Sequence, residues 1–188
     1  MKLMIASDIH GSAVFCHQLL EAFDREHPWR LLLLGDILYH GPRNDLPEGY
    51  APKEVIAMLN PLAASLLCVR GNCDTEVDQM VLSFPILSDS CLVSLDGATL
   101  FATHGHHFGP EQLPPLAAGD ILVSGHTHVP LCQRVENVLC LNPGSVSIPK
   151  ENSPRGYLVW EDGNLQWKTL DGTVWKSLSA EERAAIMK

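Results

Sequence analysis

The stretch Trp29-Arg30-Leu31-Leu32-Leu33-Leu34-Gly35-Asp36 decides how the rest of the chain is read. Four consecutive leucines without polar alternation fit a strand buried on both faces. The glycine and carboxylate at its exit bring an anionic ligand to whatever lies beyond the strand. The same arrangement recurs outward from this stretch. Residues 2–7 are a second apolar run ending at Asp8-Ile9-His10-Gly11, and residues 65–70 a third, ending at Gly71-Asn72-Cys73-Asp74. Residues two apart in an extended chain face the same side, so Asp8 and His10 can grip one cation together. Between the runs, Ser12 caps a helix over 12–26 with the stripe Phe15, Leu19, Leu20, Phe23. Pro52 opens another over 52–64, with Val55, Ile56, Leu59, Leu62 and Ala63 on its apolar face. These β-α-β units point their strands' carboxyl ends one way, to the edge where open α/β sheets hold ligands. Residues 39–51, rich in Gly, Pro and Asn, form a loop that carries His40, Arg43 and Asn44 over that edge.

The second half reads differently. Residues 92–95 and 99–103, joined at Asp96-Gly97, form a hairpin that leads into His104-Gly105-His106-His107. Residues 121–124 form a strand ending in Gly125-His126-Thr127-His128, and residues 138–141 run into Asn142-Pro143-Gly144-Ser145. The tail 156–178 has Asp-Gly pairs at 162–163 and 171–172, which predict a meander of short strands. Ser179 and Glu182 form a capping box for a brief last helix. A more parallel N-terminal sheet, a more antiparallel C-terminal sheet and helices on the outside follow, with Trp160, Trp167 and Trp175 expected in the second sheet.

Composition sets the bounds. With 188 residues, 46% hydrophobic and 6% aromatic, the chain suits one domain spanning 1–188. Thirteen basic against twenty-two acidic side chains give a formal charge of -9, which opposes a surface built to track nucleic-acid phosphates. Six cysteines without paired spacing read as reduced thiols rather than a disulfide framework. The first apolar run is too short for a signal peptide, and no stretch approaches the roughly 20 apolar residues of a membrane span. The expected compartment is the cytoplasm and no membrane partner is expected.

Collected, the strand exits supply Asp8, His10, Asp36, Asn72, His104, His126 and His128: two carboxylates, one amide and four imidazoles. Any one of them alone reads more simply as a structural histidine or a turn-capping carboxylate. Seven at strand exits, in order, do not. His-x-His-x-Asp-His is absent, since Val129-Pro130-Leu131 follows His128, and so is a helical pair of histidines four apart with a glutamate between.

The ordered set Asp-x-His, Gly-Asp, Gly-Asn-x-Asp, His-Gly-His and Gly-His-x-His over residues 1–149 resembles the calcineurin-like metallophosphoesterase superfamily. Gly71-Asn72-Cys73-Asp74, Asn142-Pro143-Gly144-Ser145 and the short length resemble its small bacterial and archaeal phosphodiesterase branch, as does Gly41-Pro42-Arg43-Asn44. The resemblance implies a four-layer α-β-β-α sandwich. It also implies two divalent metal ions, manganese first and zinc, iron or nickel as alternatives. Asp8, His10 and His128 would hold one ion, Asn72, His104 and His126 the other, and Asp36 would bridge them. Imidazole and carboxylate donors suit such ions, and no thiolate stands at a ligand position. A shared hydroxide between two metals about 3.5 to 4 Å apart would then attack phosphorus in line.

The expected activity is hydrolysis of a small phosphodiester, with a phosphomonoesterase or a noncatalytic metal-binding interaction platform as alternatives. Asp36, Asn72, Cys73 and Asp74 are the expected catalytic residues, although loop support is the plainer role for Asp74. Arg43, Asn44 and His106 are expected at the substrate, with His106 also a substitute ligand for His104. In many superfamily members a histidine follows the asparagine and serves the leaving oxygen. Cys73 stands there instead and is a weak donor. A homo-oligomer contact through Trp160, Trp167 and Trp175 is the alternative to their expected burial in the second sheet.

Overall fold

In the computed structural model, which describes residues 1–187, two sheets face each other. The first has strands β1 (Lys2–Ala6), β2 (Arg30–Leu33), β3 (Leu66–Cys68), β9 (Gly156–Glu161), β10 (Asn164–Thr169) and β11 (Val174–Leu178), in the order β11-β10-β9-β1-β2-β3. The second has β4 (Ser90–Leu95), β5 (Ala98–Thr103), β6 (Ile121–Val123), β7 (Leu131–Val135) and β8 (Val138–Asn142), in the order β4-β5-β6-β8-β7. Helices α1 (Ala13–Glu26), α2 (Pro52–Leu59), α3 (Glu76–Gln79) and α4 (Ala180–Ile186) complete the regular elements, with a 3-10 turn at Asn60–Ser65.

Strand alternation sorts the core into layers. Leu3 and Ile5 of β1 face the second sheet, where they meet Leu100, Ile121, Leu139 and Leu141. Met4 and Ala6 face the other way, against Phe15 and Leu19 of α1 and Val55 and Leu59 of α2. The outer face of the second sheet, Leu122, Val138 and Cys140, is covered by Leu113 and Leu116 from the connection between β5 and β6. That cover is a proline-rich loop without helix.

The helix starts follow their capping residues. Ser12 Oγ accepts from Phe15 N at 3.3 Å, and Ser179 and Glu182 close the box that starts α4. The expected second helix stops at Leu59 and tightens into 3-10 geometry, because Pro61 has no N–H to continue it. Strand β7 and the single-turn helix α3 have no counterpart in the sequence reading. Leu131-Cys132-Gln133-Arg134-Val135 is a mostly uncovered edge strand with too little apolar pattern to announce itself.

The tail is a meander, yet it joins the first sheet. β9 pairs antiparallel with β1, so the expected parallel sheet is half antiparallel, and the second sheet contains two parallel pairs, β5–β6 and β6–β8. Trp160 and Trp167 are fully buried between the sheets but project from the first, which corrects their expected placement. Trp175 is 41% exposed, because β11 is an edge strand with one face uncovered. No helix among the described residues is long and apolar enough to cross a membrane.

Candidate metal centre

Parallel strands β1, β2 and β3 of one sheet and β5 and β6 of the other all end at the same rim. Each exit turns sharply to aim its polar residue inward. Asp8, His10, Asp36, His126 and His128 have φ of 61°, 48°, 56°, 66° and 61°, the left-handed region that side chains rarely adopt. Such residues cost about 1–3 kcal/mol each and persist where the surroundings over-determine them, typically at functional sites. Here the surroundings are cross-strand hydrogen bonds between the exits. His10 N donates to Asp36 O at 2.9 Å, Gly11 N to Ile37 O at 2.8 Å, and Gly125 N to His104 O at 2.7 Å. The hydroxyls of Ser145 and Ser147 each donate to Asp8 O at 3.0 Å. Asn142 Nδ2 donates to Gly125 O at 2.8 Å, which fixes the turn before His126.

Two groups of candidate donor atoms result. Asp8 Oδ1 lies 3.6 Å from His10 Nε2 and 3.4 Å from His128 Nε2, and the two imidazole nitrogens are 3.4 Å apart. His104 Nε2 lies 3.0 Å from Asn72 Oδ1 and 3.2 Å from His126 Nδ1. Asp36 Oδ2 stands between the groups, 3.6 Å from His10 Nε2 and 3.4 Å from His104 Nε2. Cys73 also offers its sulfur within 4.8 Å of donor atoms of His10 and Asp36, a proximity the sequence reading had not assigned.

The tautomers are set from behind. Nδ1 of His10, His104 and His128 faces the carbonyls of Tyr39, Leu34 and Ile148 at 2.7, 2.6 and 2.6 Å, so each neutral ring turns an Nε2 lone pair inward. Those lone pairs then face carboxylate, amide and imidazole acceptors. The arrangement holds together only with positive charge among the donors. Asp8 Oδ1 is buried without a hydrogen-bond partner, as a ligand atom waiting on a cation is.

The electrostatics of the protein groups follow from the same crowding. Burial alone would raise the Asp8 and Asp36 carboxyls, but surrounding histidines hold both below the usual carboxylate range. Burial works to lower His104, but hydrogen bonding to Asp36 and the charge of Asp8 push it up to about 9. Two carboxylates that are 0% and 2% exposed and remain charged need positive charge beside them, which protonated histidines supply in the protein alone and a bound cation would supply in their place.

Asp74 stands behind the centre. Its Oδ2 accepts from Asp36 N and Gly71 N at 2.8 Å each, and its Oδ1 from Ile37 N at 2.9 Å. All of its reach goes into holding the two exits together, which is the plainer of its two expected roles. Gly71 is required by close approach, since a Cβ there would collide with Asp36 Oδ1 and Asp36 N.

A cavity of about 390 Å³ opens over the centre, lined by Asp36, Arg43, Asn44, Asn72, Cys73, His126, His128, Thr127 and Lys150 among others. Arg43 and Asn44 thus line the cavity, with Arg43 exposed and Asn44 Nδ2 donating to His40 O at 2.8 Å. His106 does not line this cavity. It lines a neighbouring recess with Asp89, Thr103 and His107, while its ring stays 5.3 Å from that of His104 and 6.2 Å from that of His126. Lys150 and Thr127 are the lining residues that the sequence reading missed. Thr127 is flanked by the two histidines of Gly-His-x-His and was readable from that spacing, whereas nothing in Pro149-Lys150-Glu151 signals a site.

Comparisons with known proteins show what the chain as a whole is similar to. Residues 1–163 match the model of the calcineurin-like phosphoesterase superfamily domain. Phosphodiesterase YfcE of Escherichia coli is 54% identical over 157 residues, covering 84% of this chain and 85% of that protein. Phosphodiesterase MJ0936 of Methanocaldococcus jannaschii is 27% identical over 152 residues, covering 77% and 83% respectively. The solved structure of the Escherichia coli phosphoesterase superposes with a TM-score of 0.92 at 48% identity, covering 96% of this chain and 100% of that one.

Proposed function

The chain belongs to the calcineurin-like phosphoesterase superfamily, and from that premise we propose that it is a metal-dependent phosphodiesterase with a dinuclear centre in a single domain. The observation that carries the reading is the pair of donor groups, with spacings of 3.0 to 3.6 Å, that share Asp36 Oδ2. Asp8, His10 and His128 would hold one divalent ion and Asn72, His104 and His126 the other, with manganese first and zinc, iron or nickel as alternatives. Ions bound there supply Lewis acidity toward the phosphoryl oxygens and make an attacking water acidic enough to act near neutral pH.

The chain's own groups do the rest. The carbonyls behind His10, His104 and His128 keep each Nε2 available, and Asp74 keeps Asp36 between the two groups. Arg43 and Lys150 at the cavity mouth attract and orient the phosphate, and no side chain is needed as a covalent nucleophile. A cavity of about 390 Å³ and a net charge of -9 favour a small ester over nucleic acid. The named relatives, both phosphodiesterases, favour a diester over a monoester. The cytoplasm remains the proposed compartment.

Hydrolysis of bis(p-nitrophenyl) phosphate and p-nitrophenyl phosphate, after chelation and again with Mn²⁺, tests the reading. The diester is expected to turn over faster and only with metal. Faster monoester turnover would replace the diester preference with a phosphomonoesterase. No metal-dependent turnover by folded protein would leave a noncatalytic metal-binding platform.

A further inference from the structure

A second recess adjoins the centre and has the opposite character. Leu38, Tyr39, Tyr50, Ile56, Val77 and Val81 line an apolar groove of about 350 Å³, at the lower end of small-molecule sites. We propose that this groove receives an uncharged aromatic arm of the ester while the phosphate sits at the metal centre, an inference that rests on the phosphodiesterase reading. It names the substrate class as phosphodiesters carrying at least one flat apolar group.

Continuity is the first argument. Cys73 lines both cavities, so an arm leaving the phosphate meets the groove on crossing that one side chain. Tyr39 ties the two together again, since its carbonyl faces His10 Nδ1 at 2.7 Å and its side chain lines the groove. The aromatic lining is the second argument. The His40 ring packs T-shaped against Tyr39 at 4.7 Å and against Tyr50 at 5.3 Å, and Tyr39 is still 41% exposed, a geometry that a further aromatic group can extend. Val77, Val81 and Tyr39 are 69%, 45% and 41% exposed, so an arm laid on them gains by covering apolar surface.

Charge selects among arms. Asp78 is the one charged residue lining the groove, and its Oδ2 is engaged by Thr75 N at 2.7 Å and Thr75 Oγ1 at 2.8 Å. The cations Arg43 and Lys150 line the other cavity instead. A second phosphate therefore finds no partner here, whereas a neutral ring does.

The test uses non-hydrolysable probes on the Mn²⁺-loaded protein, so that binding is read without turnover. Calorimetric titration is expected to show benzylphosphonate binding at least about tenfold more tightly than methylphosphonate. That ratio should fall to about twofold or less in Val77→Glu, whose side chain is exposed enough to spare the fold. Met80→Glu, on the same turn but outside the groove lining, should keep the wild-type ratio. Equal binding of the two probes to wild type, or an unchanged ratio in Val77→Glu, overturns the groove and leaves the metal centre intact. Failure of both probes to bind overturns the phosphate site and the groove with it. Sedimentation showing a dimer that Val77→Glu dissociates would give the groove to a second copy of the chain and overturn the proposal.

Discussion

Cys73 lies at the junction of the two cavities, its sulfur accepting from Asn72 Nδ2 at 3.2 Å and its backbone N–H donating to Asp36 Oδ1 at 2.8 Å. Burial and then the charge of Asp36 push its thiol up to about 12, so from the protein groups alone it stays protonated. A thiol is a poor donor, and general-acid help is worth about 10² to 10⁴-fold. Substituting Cys73→His should therefore raise kcat/KM for alkyl esters relative to p-nitrophenyl esters by about tenfold or more. Unchanged ratios across several esters would remove any role for this position in leaving-group departure. At this scale the residues that meet at the rim were legible because each follows an apolar run and their order repeats a known set. Lys150 was not, since a lone lysine in a loop carries no periodicity, and only the fold brings it to the cavity mouth.

The connection from β3 to α3 is the element that sets the position of Asp36. Its Asp74 carboxylate accepts three backbone N–H groups, from Asp36, Ile37 and Gly71. An asparagine has one oxygen acceptor in place of two, so Asp74→Asn leaves at least one buried N–H unpaired. The cost should be about 1–3 kcal/mol in denaturant unfolding. Because Asp74 supports Asp36, the proposed shared ligand, from behind, metal affinity should fall about 10 to 100-fold, read by chelator competition. A variant with wild-type stability and metal affinity would contradict the role. Elements were legible where caps and periodicity agreed, as at Ser12 and Ser179. The boundary at Leu59 required weighing Pro61 against the stripe that runs through it. The left-handed turns at Asp8, His10 and Asp36 leave no mark in sequence, because tertiary hydrogen bonds impose them.

At the scale of the whole molecule, the helical layer is pinned to the first sheet by Glu26. Its carboxylate meets Lys168 Nζ at 2.7 Å, the Tyr157 hydroxyl at 2.9 Å and Lys2 Nζ at 3.4 Å. Burial would raise this carboxyl, but the hydrogen bonds from Lys168 and Tyr157 outweigh it and the net shift is downward. A lowered folded value means the stabilisation is complete above the unfolded value of about 4.3 and is lost as pH falls through the folded one. Glu26→Gln should therefore cost about 1–3 kcal/mol near pH 7, with the gap to wild type closing as pH drops below about 4. A gap that is absent at pH 7, or that stays constant through the acid range, would contradict this. Which sheet the tail joins was not legible, because alternation tells a strand which face is apolar and not which neighbour it pairs with. That two sheets would converge on one rim was legible, since five strand exits carried ligand-type residues. The convergence is tested most directly by anomalous diffraction from crystals soaked in Mn²⁺. Two peaks are predicted, one among Asp8, His10 and His128 and one among Asn72, His104 and His126, each also within bonding distance of Asp36. A single peak, or peaks away from Asp36, would contradict the account.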